Sequence, residues 1–275
     1  MELERFSPAV FAAPTFTGFS DLLKEFSEDV AWPSLMRLQE CWLTARDLRS
    51  ADGNPFTLVE QQAKRRRGRR RGRRRGGGQG VPRSRSELYD VSVCAGRIPT
   101  RPASWHDFFN VMMFAAFPRS KAMIHHLHRV ILEHRLPIAV TRLPGARTAE
   151  QDALTMLDEG GVLLACATDD AASVDAALEA GNHEALGRII AEGRCRPWLF
   201  GHAHAEHVAL SRTGATAPLP RAKPVVLLLA TDASRPQVDE ALADRLRDPA
   251  FCAVSDRRRA VALDVLFPRL LVGAA

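Results

Sequence analysis

The fold is decided at residues 104–110, which read Ser104-Trp105-His106-Asp107-Phe108-Phe109-Asn110. Ser104 is a suitable N-cap residue, and Asp107 follows three places later, as in a capping box. Pro118 cannot continue a helix. These start and stop signals predict a helix over residues 105–116. Its aromatic and methionine side chains recur at helical spacing, so this helix should lie in the core.

His106 and Asn110 are four residues apart and therefore share one edge of the predicted helix. A polar edge on the first turn of an otherwise apolar helix is a place where a cleft can open. His106, Asp107 and Asn110 are therefore candidate site residues. Structural roles compete with this interpretation, because Asp107 can act simply as a cap and His106 can hydrogen-bond a neighbouring loop.

The composition is typical of a protein with a sizeable core, since 46% of the 275 residues are hydrophobic. The five cysteines form no Cys-x-x-Cys pair, which excludes a zinc ribbon and fits a reduced compartment. The start of the chain has no signal-peptide pattern, and no apolar run is long enough to cross a bilayer. These features predict a cytoplasmic protein that does not bind membranes.

Positive charge is concentrated in residues 64–75, a run of arginines interrupted by glycine. The run contributes ten positive charges, so a net charge of +6 leaves about −4 (6 − 10) for the remainder. We predict a disordered insertion over residues 64–86. The segment Lys64 to Arg75 could bind RNA or DNA non-specifically. A low-complexity insertion without a partner is the preferred alternative, because no aromatic residue interleaves the arginines for base stacking.

Deleting residues 64–80 should abolish most RNA or DNA binding and leave the fold intact, because a solvated glycine-rich segment adds little to a core. Binding by the full chain should weaken steeply with salt, since each neutralised phosphate releases counterions. Gel-shift titrations of both proteins at two salt concentrations measure this. Tight, salt-resistant binding by the deleted protein would show that the folded part itself recognises nucleic acid.

The remaining patterns predict an α+β protein, mainly helical with a small sheet. Residues 1–63 should form an N-terminal helical extension and first strand that pack as one unit with a main α+β domain, residues 87–275. Short apolar runs flank Asp158-Glu159-Gly160-Gly161, which is typical of a β-hairpin near residues 153–165. Asp158 and Glu159 are then either turn residues or members of a site.

Two further segments carry several histidines. A helix predicted over residues 119–134 contains four, which are His125, His126, His128 and His134. His126 and His128 would point to different faces, so we interpret these residues as scattered surface histidines rather than as a metal site.

The second histidine-rich segment reads Gly201-His202-Ala203-His204-Ala205-Glu206-His207. If it is helical, His202 and Glu206 share one face, and His204 and His207 share another. Either pair could bind a metal or form a proton-transfer dyad.

Taken together, these motifs resemble a bacterial family of unknown function, domain of unknown function family 3025. The matching segments are residues 56–61, Tyr89 with residues 96–101, residues 105–110 with 117–122, residues 151–160, and the Phe-Gly-His-Ala of residues 200–203 with Glu206. The resemblance spans about residues 55–230 and includes neither the arginine run nor His204 and His207. It implies no activity.

Two functional hypotheses follow. In the first, three segments that each bring a histidine or carboxylate beside apolar residues form an enzyme-like polar site. Its residues would be His106, Asp107, Asn110, Asp158, Glu159, His202 and Glu206. His106 or His202 would act as general base or metal ligand, and Asp158 or Glu159 would orient it or complete a metal shell.

The cofactor considered for this site is a divalent metal bound by His106, His202 and Glu206. The sequence contains no Gly-x-Ser-x-Gly elbow, P-loop or dinucleotide fingerprint, and no protein nucleophile is evident. In the second hypothesis the same residues are structural, and the protein is a non-catalytic binding module with an arginine-rich arm.

Overall fold

The computed structural model describes residues 5–61, 88–135, 147–212, 220–253 and 258–268. The arginine run and the insertion predicted at residues 64–86 lie outside this described part. The described chain is α+β and mainly helical, which confirms the predicted fold class. Within it, no helix is both long enough and apolar enough to span a membrane.

The elements follow one another along the chain with short connections. The α-helices are α1 Ser20–Leu23, α2 Leu35–Leu38, α3 Tyr89–Cys94, α4 Trp105–Ala116, α5 Pro118–Arg135, α6 Ala149–Gly160, α7 Thr168–Ala180, α8 His183–Ala191, α9 His202–Arg212, α10 Arg235–Arg247, α11 Ala250–Ala253 and α12 Leu263–Leu266. The strands are β1 Thr57–Glu60, β2 Arg97–Thr100, β3 Gly161–Cys166, β4 Cys195–Leu199, β5 Arg221–Leu228 and β6 Val261–Ala262. Single turns of 3-10 helix cover Pro8–Ala12, Pro14–Phe19 and Lys24–Phe26, and Gln39–Thr44 is π-helical.

The strands form two small sheets. β1 and β2 pair in parallel, and the larger sheet has the order β4-β3-β5-β6. Its central strand β3 is antiparallel to β4 and parallel to β5, and each of its residues is buried. A strand buried on both faces requires a continuous apolar run, which Val-Leu-Leu-Ala-Cys after Gly161 supplies.

Helix α4 lies at the centre of the core and has the predicted bounds. Every residue of α4 is buried except His106, which is partly exposed. The N-terminal segment covers the helix with aromatic rings: Phe6 stacks on Trp105 at 5.2 Å between ring centroids, and Phe16 stacks on Phe109 at 5.2 Å. Because its neighbours are packed on all sides, His106 is held at the edge where the core meets solvent.

Helix α5 begins where α4 ends, and its first turn is anchored by α10. The Asp239 carboxylate accepts hydrogen bonds from the backbone amides of Arg119 at 3.0 Å and Ser120 at 2.8 Å. A carboxylate at this position satisfies amides that have no partner inside the helix. The anchored turn fixes the next residue, Lys121, which points into the interior.

The β-hairpin predicted near residues 153–165 is wrong. Residues 149–160 form α6, and only the second half of the predicted hairpin, β3, is a strand. Thr148 and Gln151 form a complete capping box at the start of α6. That box, followed by good helix formers, outweighs the β tendency of a five-residue apolar run. Asp158 and Glu159 therefore lie in the last helical turn.

The interpretation of the α5 histidines as scattered surface residues is also wrong for two of them. His125 is 2% exposed and His128 is 8% exposed. His134 is exposed and His126 is partly exposed. His125 and His128 lie on the side of α5 that packs against α3 and α6, which a search for metal-ligand spacing does not detect.

The junction of α6, β3 and α9 requires glycine at position 201. A Cβ atom there would lie 2.5 Å from the Glu159 backbone oxygen and 2.6 Å from the Gly160 Cα. The Gly201 amide also donates to the Gly161 oxygen at 2.8 Å. Since α9 begins at His202, this close approach sets the position of His202 against the end of α6.

Gly201→Ala should destabilise the protein by about 1–3 kcal/mol, because the added methyl group overpacks a contact with backbone atoms that cannot move aside independently. Urea unfolding measures the change. Gly187→Ala is the matched control, since a Cβ there meets nothing within 4 Å, and helix propensity favours alanine by roughly 0.5–1 kcal/mol. Equal stability of the two variants would contradict the assigned junction.

Candidate metal centre

His106 of α4 and His202 of α9 approach each other through their Nε2 atoms, which are 3.2 Å apart. The outer nitrogen of each ring has its own acceptor. His106 Nδ1 is 2.9 Å from Glu206 Oε2, and His202 Nδ1 is 2.8 Å from the Asp158 backbone oxygen. A backbone oxygen and a carboxylate only accept hydrogen bonds, so both Nδ1 atoms are donors.

This polarity limits the facing Nε2 atoms of His106 and His202. Two N–H groups cannot point at each other across 3.2 Å, so at least one of the Nε2 atoms carries a lone pair. Either one proton is shared between the rings, or a cation accepts lone pairs from both. A neutral imidazole protonated on Nδ1 is the form that binds a metal through Nε2.

The two rings have different electrostatic surroundings. Burial lowers the pKa of His202 to about 3, which keeps its ring neutral at ordinary pH. The hydrogen bond to Glu206 raises the pKa of His106 above its usual value, and burial opposes that shift. A neutral ring facing a ring stabilised by a carboxylate is compatible with both a shared proton and a bound cation.

Glu159 supplies a third ligand at the same place. One ligand atom from each of His106, His202 and Glu159 lies within 4.8 Å of the other two. In a tetrahedral zinc site with Zn–N bonds of about 2.0–2.1 Å, two imidazole nitrogens stand roughly 3.3 Å apart. The observed 3.2 Å between the Nε2 atoms is close to that span.

Glu206 was predicted as a metal ligand and occupies a different position from Glu159. Its carboxylate contacts Nδ1 of His106, on the side of the ring away from His202. His202 and Glu206 lie one turn apart on α9, so the helix holds His106 at both ring nitrogens. This arrangement suits Glu206 to orienting His106.

Lys121 was not predicted as a site residue, yet its side chain is fully buried beside the histidine pair. Nζ donates to Asn110 Oδ1 at 2.9 Å and to Asp158 Oδ1, and lies 4.6 Å from the centroid of the Phe114 ring. Burial opposes ionisation of Asp158, but the Lys121 charge outweighs it and lowers the pKa of Asp158. Lys121 therefore holds the residue whose backbone oxygen orients His202.

Asn110 connects Lys121 to Tyr89. Its oxygen faces the lysine, so its Nδ2 points the other way and donates to Tyr89 Oη at 2.9 Å. Tyr89 belongs to a segment that resembles the family pattern, but single-sequence reasoning assigned it no role. Asn110 thus links the polar edge of α4 to α3 and α5.

Asp107 has a local partner rather than a place at the histidine pair. Its Oδ2 accepts from the Arg101 backbone amide at 2.7 Å and from Arg101 Nε at 2.6 Å. The same residue donates its backbone amide to Ser104 Oγ at 3.4 Å. Asp107 therefore ties the approach to α4 and holds Arg101.

Asp90 and His125 form a second pair that the sequence did not reveal. Asp90 Oδ1 and His125 Nδ1 are 2.8 Å apart, and the His125 ring stacks on Phe114 with 5.4 Å between centroids. Burial opposes ionisation of Asp90, but His125 lowers the pKa of Asp90 overall. A partner 35 residues away leaves no local spacing pattern, so no signal in the sequence predicts this pair.

These groups surround one cavity of about 560 Å³. The predicted site residues at its wall are His106, Asp107, Asn110, Asp158, Glu159 and His202. Residues that were not predicted also contribute to the wall, among them Tyr89, Asp90, Arg101, His125, His128, Arg135 and Arg147. Segments from α4, α6 and the start of α9 therefore meet at one concave, polar surface.

Comparison with known proteins identifies the family. The family model described as "Protein of unknown function (DUF3025)" matches residues 79–263. The chain belongs to this family, in agreement with the resemblance of its motifs. No curated protein and no solved structure matches the chain.

Proposed function

We propose that this protein is a zinc-dependent hydrolase whose ion is bound by His106 Nε2, His202 Nε2 and the Glu159 carboxylate. The observation that carries the proposal is the facing pair of Nε2 atoms at 3.2 Å, with both Nδ1 atoms bound to acceptors. Metal-binding histidines usually donate their other N–H to a carboxylate or a backbone oxygen. Here one histidine has each kind of partner.

Three protein ligands of nitrogen and oxygen type are typical of catalytic zinc sites, which keep a fourth position for water or substrate. Glu159 is exposed and lines the cavity, so that fourth position would open towards solvent. A bound zinc ion would lower the pKa of its water to near neutrality and polarise a substrate carbonyl or phosphoryl oxygen.

The surrounding residues would have supporting roles. Glu206 orients His106, and the Asp158 backbone oxygen orients His202. Asp158 Oδ2 lies 3.8 Å from His202 Nδ1, and this ionised carboxylate adds negative charge that favours a cation nearby. Water as the attacking group also agrees with a sequence that offers no protein nucleophile.

Hydrolysis assays test the proposal. The zinc-loaded protein should hydrolyse p-nitrophenyl acetate or p-nitrophenyl phosphate, and activity should disappear with EDTA and return with zinc. Glu159→Gln should reduce the activity by roughly 100-fold or more, since even the loss of an orienting partner costs about 10- to 100-fold. Glu179→Gln, at an exposed position on α7, is the matched control. Equal activity of Glu159→Gln and wild type would contradict the proposal.

One observation favours a second candidate, a non-catalytic module with a structural histidine pair. The Glu206 hydrogen bond raises the pKa of His106, which suits a protonated His106 that shares its proton with His202. Purified protein would then contain no zinc. Alanine at His106 would lower the melting temperature without changing any metal content.

We place the protein in the bacterial cytoplasm, supported by cysteines that are free in the described part of the chain and by the reduced compartment that such thiols favour. Nucleic-acid binding by the arginine run stays a prediction.

A further inference from the structure

The carboxylates on the cavity wall are mostly committed to protein partners. Asp107 is bound by Arg101, and Asp158 is bound by Lys121. Asp90 is paired with His125. Only Glu159 lacks a cation among the described residues, and it is the proposed metal ligand. The hydrogen-bond acceptors of the wall therefore have little capacity left for a ligand.

The donors show the opposite balance. Lys121 fixes Asn110 with its oxygen inward, and Asn110 then donates to the Tyr89 oxygen. Tyr89 has no acceptor for its own O–H among the described residues, and it lines the cavity. This chain of hydrogen bonds leaves the Tyr89 hydroxyl as a donor for whatever occupies the cavity.

Two arginines add uncommitted positive charge. Arg147 lines the cavity and makes no hydrogen bond or ion pair within the described residues. Its charge lies near His128, where it adds to burial in lowering the pKa of that ring. Arg135 also lines the cavity, and its one hydrogen bond in the described part is with the neutral Gln151, at 3.3 Å.

We propose that the cavity binds an anionic small molecule whose phosphate or carboxylate oxygens accept hydrogen bonds from Tyr89 and Arg147, with Arg135 beside them. Guanidinium groups match both oxyanions in geometry and charge. A volume of about 560 Å³ suits a small molecule rather than a polymer. The inference rests on the proposed function only where it makes this molecule the hydrolase substrate, with its reacting group at the metal.

Calorimetric titration of EDTA-treated protein with inorganic phosphate, and separately with succinate, tests the anion site without zinc. We expect Arg147→Gln to weaken binding by roughly 10- to 100-fold, and Tyr89→Phe by roughly 3- to 10-fold. Arg188→Gln is the matched control, because Arg188 is an exposed arginine on α8, paired with Glu184. Tighter binding of phosphate than of succinate would identify the group recognised, and the reverse order would identify a carboxylate.

Binding of neither anion at millimolar concentrations would overturn the inference, as would unchanged affinity in both Tyr89→Phe and Arg147→Gln. Both substitutions are at accessible positions, and thermal melts should show wild-type stability. Because the titration uses metal-free protein, its failure would leave zinc binding by His106 and His202 untouched. Anion binding in a protein that takes up no zinc would overturn the hydrolase and keep the anion site.

Discussion

Replacing His202 with alanine should abolish stoichiometric zinc binding. His202 supplies one of two facing Nε2 atoms, and no other imidazole in the described part of the chain joins the cluster with His106 and Glu159. Loss of an orienting partner alone costs about 10- to 100-fold in metal affinity, so loss of a ligand should cost more than about 100-fold. Competition with a fluorescent chelator measures the affinity, and elemental analysis measures the zinc content.

Two variants calibrate the His202→Ala result. His134→Ala removes an exposed histidine from the end of α5 and should bind zinc as wild type does. Glu206→Gln keeps the ligands but weakens the acceptor on His106 Nδ1, so its affinity should fall by about 10- to 100-fold. One zinc per chain in purified His202→Ala, with wild-type affinity, would contradict the proposed centre.

Lys121→Met should destabilise the protein by about 3–5 kcal/mol, the range expected when one partner of a buried ion pair is removed. Methionine fills the space of the lysine stem, so the effect reports the lost charge. Without Lys121, the Asp158 carboxylate has no buried cation against it, and Asn110 loses the donor that fixes its amide. Urea unfolding with circular dichroism measures the change.

A double variant separates charge from packing at this position. Lys121→Met with Asp158→Asn removes both charges and should recover more than half of the lost stability, since replacing a whole buried pair is often nearly neutral. Lys24→Met, at an exposed position, should change stability by less than about 0.5 kcal/mol. A Lys121→Met protein as stable as wild type would show that the buried pair contributes nothing.

Local signals were enough to predict the central helix and the residues on its polar edge. Ser104 and Pro118 bracket α4 in the structure as in the sequence. His106, Asp158 and His202 come from separate segments, and the structure brings them to one cavity. Such segments can be nominated from sequence because each combines polar residues with an apolar flank.

The error at α6 came from a short apolar run whose period is ambiguous. Residues 153–157 fit a strand or a helix equally well, and Gly160-Gly161 resembles a turn. Thr148 and Gln151 carried the contrary signal, a capping box one turn upstream. In the structure these glycines instead allow α9 to pass close to the end of α6.

The partners that complete the site depend on contacts far apart in sequence. Lys121 meets Asp158 across 37 residues, and Asp90 meets His125 across 35. A buried lysine looks like a surface lysine in a single sequence, because its partner is known only once the helices have packed. The fold therefore had to be known before the charges of the cavity could be balanced.

X-ray absorption at the zinc K edge, on protein loaded with one equivalent of zinc, tests the metal centre most directly. The account predicts two imidazole nitrogens and at least one carboxylate or water oxygen at about 2.0–2.1 Å, with no sulfur neighbour. The imidazole signal should halve in His106→Ala, if that variant retains any zinc. Zinc coordinated by cysteine sulfur, or an imidazole signal unchanged in both His106→Ala and His202→Ala, would contradict it.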